Sequence, residues 1–137
     1  MQREEGLDAI AKPKFPPCRC YADVLSCFAT LGMENHNYGT VILDSASTLE
    51  PILWKDVCER NGNVESIEKV GGGYAKGYTE ALYRWGQIVE SLDALRDQRS
   101  MSSIIVGHVK VKRFDDPAGP SYDQYQFRQP IDSSNYF

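Results

Sequence analysis

The residues of this chain best suited to chemistry are Asp44, Ser45, Glu50 and His108. Asp44 closes an apolar β-forming run, Thr40-Val41-Ile42-Leu43, and the hydroxyl of Ser45 follows it. A carboxylate at the end of a buried strand can hold Mg2+, usually through water, beside phosphates. Ser45 can support that shell. The same aspartate can instead cap the helix or turn that follows. Glu50 lies near the same rim. It can polarise a water as a general base, or be a first-turn glutamate favoured by the helix dipole. His108 follows a second apolar run, Ser102-Ser103-Ile104-Ile105-Val106-Gly107. There it can sense a terminal phosphate, or simply hydrogen-bond at a strand end.

Lys110, Lys112 and Arg113 make a compact basic patch on a chain whose net charge is −4. Such a patch can neutralise phosphates, although its alternation with Val109 and Val111 also fits a solvated strand edge. Tyr122, Tyr125 and Phe127 can stack on bases or pack internally. The glycine-rich stretch Gly71 to Gly77 is not a phosphate loop. That loop needs G-x-x-x-x-G-K-[ST]. Gly72 and Gly77 have the spacing, but Tyr78 stands where lysine is required and Lys76 precedes the second glycine. A flexible loop that contacts a partner is the better reading. Cys18, Cys20, Cys27 and Cys58, with His36, could in principle hold zinc, but their spacing matches no finger or ribbon.

These residues need a scaffold that brings separated segments together. The 137 residues, 42% hydrophobic and 25% charged, suit one globular domain. The acidic balance argues against a nucleic-acid binder that relies on overall charge. No apolar run approaches the length that crosses a bilayer. The charged start, Met1 to Glu5, leads into no signal-like segment, so a cytoplasmic location is expected. Residues 1–17 read as a flexible arm, 18–127 as the core and 128–137 as a tail.

Apolar spacing predicts helices over 21–32, with Gly32 as the stop, over 48–60, with Pro51 in the first turn, and over 78–98. Strands are predicted over 40–45 and 102–107, both buried, with a long polar connection over 61–77. Strand, helices and strand then form a right-handed crossover with parallel strands. Asp44 and His108 are carried to the same rim of the sheet, where open α/β folds place their chemistry. The expected class is α/β, a short parallel sheet with flanking helices.

Thr40-Val41-Ile42-Leu43-Asp44-Ser45 is written like the Walker B strand of P-loop ATPases. Together with Leu49-Glu50-Pro51-Ile52-Leu53-Trp54, Gly73-Tyr74-Ala75-Lys76-Gly77-Tyr78, Leu92-Asp93-Ala94-Leu95-Arg96-Asp97 and Ile104 to Pro117, it resembles phage RecA-like ATP-binding proteins of single-strand recombination. The resemblance runs over roughly residues 21–127. It implies a partial RecA-like P-loop core, ATP and Mg2+ as cofactors, and single-stranded DNA as a ligand. Asp44, with Ser45, would then be the cation-holding Walker B site and His108 the sensor. Segments 61–77 and 109–125 would face DNA, with Lys76, Lys110, Lys112 and Arg113 as phosphate contacts. The Walker A loop does not occur within these residues, so weak or no hydrolysis is expected. In such a sheet the P-loop strand lies beside the sensor strand. Strand 102–107 is therefore expected to present an open apolar edge to a protein partner or a second copy. A non-enzymatic alternative follows, a phage decoy or inhibitor that binds a host or defence protein.

Overall fold

The structure is a computed structural model that describes residues 13–115, 117 and 119–127. The expected tail, 128–137, and most of the expected arm, 1–12, lie outside the described residues. Residues 13–17 form no helix or strand. The chain then builds α1 (Tyr21–Met33), β1 (Thr40–Asp44), α2 (Ala46–Arg60), a 3-10 helix (Ile67–Gly72) and α3 (Lys76–Arg99). It ends in β2 (Ser102–Val106), β3 (Val109–Phe114) and β4 (Tyr122–Phe127).

The helices start where local hydrogen bonding satisfies their free N–H groups. Before α1, the Asp23 carboxylate accepts from the backbone N–H of Arg19 at 2.8 Å and of Cys20 at 3.2 Å. Ser45 caps α2. Its Oγ accepts from the Thr48 N–H at 3.3 Å, and Thr48 Oγ1 accepts from the Ser45 N–H at 3.1 Å. This reciprocal pair fixes the start at Ala46. Pro51 therefore lies inside α2 rather than in its first turn. Gly32 does not stop α1, which continues through Met33 to a cap at Glu34.

One stripe of α3 organises the core. Trp85, Ile88, Leu92 and Leu95 are buried with Tyr21, Val24, Phe28 and Leu31 of α1 and Leu49 and Leu53 of α2. Val89, expected on this stripe, is exposed. Asn61 bonds to Glu80 at 2.9 Å and Asp56 to Arg84 at 2.9 Å, so α2 and α3 run antiparallel. Tyr21 lies at Arg84 and Gln87, and the Leu31 carbonyl accepts from Arg99, so α1 and α3 run parallel. Arg84 and Asp56 form a largely buried ion pair between helices. Burial alone would push the Asp56 carboxyl up, but the Arg84 and Arg60 guanidiniums hold it below its ordinary value.

The long connection contains more structure than the sequence pattern indicates. Ile67 and Val70 of the 3-10 helix are buried with Val57 and Ala81 in a second cluster. Gly71, Gly72 and Gly73 all have positive φ, a region glycine enters without strain. Behind them Gly77 touches the 3-10 helix.

β1 and β2 pair in parallel, Thr40 with Ser102 through Asp44 with Val106. Val41 and Leu43 face the helices. The opposite face is not covered: Ile42, Ile104 and Val106 are 38–49% exposed. The expectation of two buried strands is thus corrected. A fully buried strand needs layers on both faces; among the described residues β1 is packed on one face, and β2 is exposed throughout, Ile105 included. Each strand also leaves its outer edge unpaired there. β3 and β4 form a separate antiparallel pair, Val109 with Phe127 through Phe114 with Tyr122. β4 falls where the sequence shows no clear period.

Two glycines of α3 are expected to respond in opposite directions. A Cβ at Gly77 would lie 2.2 Å from the Ile67 carbonyl oxygen, whereas one at Gly86 meets nothing within 4 Å. Gly77→Ala is expected to destabilise by about 1–3 kcal/mol through overpacking. Gly86→Ala should stabilise by roughly 0.5–1 kcal/mol through helix propensity. Urea denaturation of both variants checks the pair.

Candidate functional site

The parallel register brings the predicted rim together. Asp44 ends β1 opposite Val106, and the chain leaves β2 through Gly107 and His108. The His108 backbone N–H donates to Ser47 Oγ at 3.2 Å, which ties the exit of β2 to the first turn of α2. Asp44, Ser45, Ser47 and His108 therefore occupy one end of the sheet. The Asp44–Ser45 peptide bond is cis.

The four predicted residues have different environments. Asp44 is exposed, and no hydrogen bond or ion pair holds its carboxylate among the described residues. It does not cap α2; Ser45 does. Ser45 is buried, and its hydroxyl is engaged by Thr48. His108 is half-buried and is held through its backbone. Ser47 is the rim residue that sequence reasoning missed. Its only signal was a hydroxyl in the first turn of a helix that the pattern started two residues too late.

Glu50 is the least expected of the set. It is only 8% exposed, and no hydrogen bond or ion pair reaches it among the described residues. Burial raises its carboxyl to about 7. A general base works best with a pKa near the working pH, and that value fits the role. The Tyr78 hydroxyl, which donates to Glu68 at 3.3 Å, lies within electrostatic reach of Glu50.

The basic residues do not form one patch. Lys110 and Lys112 share one face of β3, and Arg113 lies on the other, because strand side chains alternate. Arg113 pairs with Asp115 at 3.5 Å. Lys76 belongs to the start of α3, and its ammonium donates to the Gly71 carbonyl at 3.2 Å. Tyr122 and Tyr125 are exposed on opposite faces of the hairpin.

An open cleft of about 610 Å³ lies elsewhere, between α2, the 3-10 helix and α3. Trp54, Cys58, Ile67 and Tyr78 line it together with Glu59 and Glu68, and none of Asp44, Ser45, Glu50 or His108 does. Among the described residues no three His, Cys, Asp or Glu side chains converge to hold a metal. A cation held by one carboxylate, water and phosphate, as Mg2+ is, needs no such cluster.

A parallel β-pair flanked by helices, with a carboxylate at its C-terminal rim, defines an α/β core compatible with part of a P-loop NTPase. The chain belongs to the AAA domain family, whose model matches residues 1–137. This family of P-loop ATPases places the chain with nucleotide-binding, ATPase-like proteins, which generally bind ATP with Mg2+. No curated protein and no solved structure matches it significantly. No helix among the described residues is long and apolar enough to cross a membrane.

Glu50 gives a signed pH dependence. Its folded pKa is raised from 4.5 to about 7, so its contribution to stability is fully present below 4.5. That contribution is lost as pH rises through 7. Glu50→Gln should match the parent at pH 4 and exceed it at pH 8. Allowing for residual solvent screening, the gain is about 1–2 kcal/mol. Urea midpoints at the two pH values check this.

Proposed function

We propose that this chain is a nucleotide-binding ATPase-type domain that acts on single-stranded DNA in phage recombination, in the bacterial cytoplasm. The observation that carries the nucleotide part is the β1–β2 register, which sets the exposed Asp44 carboxylate beside the end of β2 and links His108 to Ser47. Asp44 suits a cation that keeps most of its water. Mg2+, when bound with ATP, would neutralise phosphate charge and orient the terminal phosphate. Glu50, raised to about 7, is the candidate base, and His108 is the candidate sensor because its backbone N–H is bonded to Ser47 of α2. Ser45 supports the site by holding α2 in place rather than by offering its hydroxyl.

The family membership and the sequence resemblance both support nucleotide binding. The DNA part rests on the β3–β4 hairpin, where Lys110 and Lys112 share one face of β3. Lys76 and Arg113 are secondary contacts, since each already has a local partner. A second reading is a protein-binding module, a decoy, an inhibitor or a homo-oligomer. The uncovered Ile42, Ile104 and Val106 and the unpaired strand edges favour it. Light scattering on the eluting protein separates the readings: a monodisperse monomer at high concentration weakens the second.

With no G-x-x-x-x-G-K-[ST] in its sequence, the chain by itself is expected to bind ATP only weakly and to show little turnover. Weak Mg2+-dependent binding, detected by titration with a fluorescent ATP analogue, should be lost in Asp44→Asn. Binding that ignores Asp44 and Mg2+ rejects the site. For DNA, Lys110→Ala with Lys112→Ala should reduce affinity for an oligothymidylate and lower the salt slope by roughly 1.4, about 0.7 per contact. Arg113→Ala should change it less. A parent chain that fails to bind ends the DNA assignment.

A further inference from the structure

Cys18 and Cys27 are brought together by folding and not by any motif. Cys18 lies in the segment that leads into α1, and Cys27 lies in the second turn of that helix. Their Sγ atoms are 3.8 Å apart. That is sulfur contact distance, so a modest rotation of each side chain spans the gap to a disulfide of about 2.05 Å. Both thiols are half-buried, and Cys18 packs against the main core. Cys20 is exposed, and Cys58 belongs to the second cluster. Half-buried, the pair remains reachable by a small oxidant.

We propose that Cys18 and Cys27 are a reversible redox pair that closes to an intramolecular disulfide when the protein meets hydrogen peroxide. The Cys27 thiolate attacks one peroxide oxygen. The O–O bond breaks, the released hydroxide takes up a proton as water, and Cys27 becomes a sulfenic acid. Cys18 then attacks that sulfur. The S–S bond forms, the S–O bond breaks, and the leaving hydroxide combines with the Cys18 proton as a second water. Two thiols lose two electrons and two protons, and one peroxide becomes two waters. Burial, with Cys27 and the Asp23 carboxylate nearby, pushes the Cys18 thiol up to about 11.

Closure would fasten the segment before α1 to the helix itself. In the reduced chain the Asp23 carboxylate makes this connection through the N–H groups of Arg19 and Cys20, beside the thiol contact itself. The anchored helix carries Tyr21, whose hydroxyl donates to Gln87 of α3 at 2.9 Å. The disulfide thus sets how firmly the entering chain is held to the core, independently of the Asp44 rim.

The test treats the reduced full chain with hydrogen peroxide and follows intact mass, free thiols and thermal unfolding. The expected product loses two hydrogens, and its free thiols fall from the four of the reduced chain to two. Its Tm should rise by roughly 5–10 °C, reversibly with dithiothreitol. Trypsin cuts after Lys14, Arg19 and Lys55, so Cys18 leaves on 15–19 while Cys20 and Cys27 share 20–55. The Cys20→Ser variant makes the linkage unique. A 15–19 to 20–55 link that survives in Cys20→Ser and disappears in Cys27→Ser supports the pair. A link that disappears in Cys20→Ser, disulfide dimers, or oxygen addition without any link overturns it.

Discussion

Everything in this molecule is referred to one surface, the apolar stripe of α3. Trp85, Ile88, Leu92 and Leu95 are the shared partners of α1, which runs parallel to α3, and of α2, which runs against it. Apolar burial of this kind is non-directional, so the polar contacts set the alignment. Arg84 lies at the junction, paired with Asp56 and placed over the Tyr21 ring at 5.7 Å. A buried charge is tolerated only with a partner, which favours the one helix arrangement that satisfies it. At the far end, Ser100 turns the chain with φ 55. Met101 then enters the core, only 1% exposed, and the Ser102 N–H reaches the Gly39 carbonyl at 2.8 Å. β2 is laid beside β1 because α3 ends there.

Two carboxylates near the start of α2 have contrasting surroundings. Asp44 is open to solvent at the strand end, while Glu50 is enclosed without a partner among the described residues. Retaining an unpaired buried carboxyl costs stability whenever it ionises. Such a group is a recognised mark of functional sites, although structural causes produce it too. The Ser45–Thr48 reciprocal cap and the Ser47–His108 bond hold the two ends of the site in register. In a nucleotide-dependent domain, this linkage would let a change at the rim reach α2 and β2 together.

The sheet is covered only in part. Val41 and Leu43 of β1 pack on the helices, whereas Ile42 and all of β2, Ile104, Ile105 and Val106 included, stay exposed. A two-stranded parallel pair has little stability of its own, so its attachment to α3 through Met101 and to α2 through Ser47 is what holds it. The β3–β4 hairpin shares this character. Its exposed Val109, Val111 and Tyr125 lie on the face opposite Lys110 and Lys112. The ribbon thus has two unlike faces, Lys110 and Lys112 on one and Val109, Val111 and Arg113 on the other.

Local pattern determined a large part of this protein. The apolar spacing of Tyr21, Val24, Phe28 and Leu31, and of Trp85, Ile88 and Leu92, is intrinsic to helices that bury one face. The two β-forming runs separated by helices imply a parallel pair, and that pairing alone puts Asp44 and His108 on one rim. Other features depended on neighbours distant in sequence. The Val41–Leu43 and Ile104–Val106 runs read as buried because periodicity reports hydrophobicity and not the presence of a second layer. Lys110, Lys112 and Arg113 read as one patch by adjacency, and the alternation with Val109 and Val111 that also fits a strand edge is what the β3–β4 pairing bears out. β4 lacks an alternating pattern, and its pairing with β3 supplies what its own residues do not signal. The burial of Glu50, the closeness of Gly77 to Ile67 and the contact of Cys18 with Cys27 are consequences of packing. Each depends on where another segment lies, which only the tertiary structure decides.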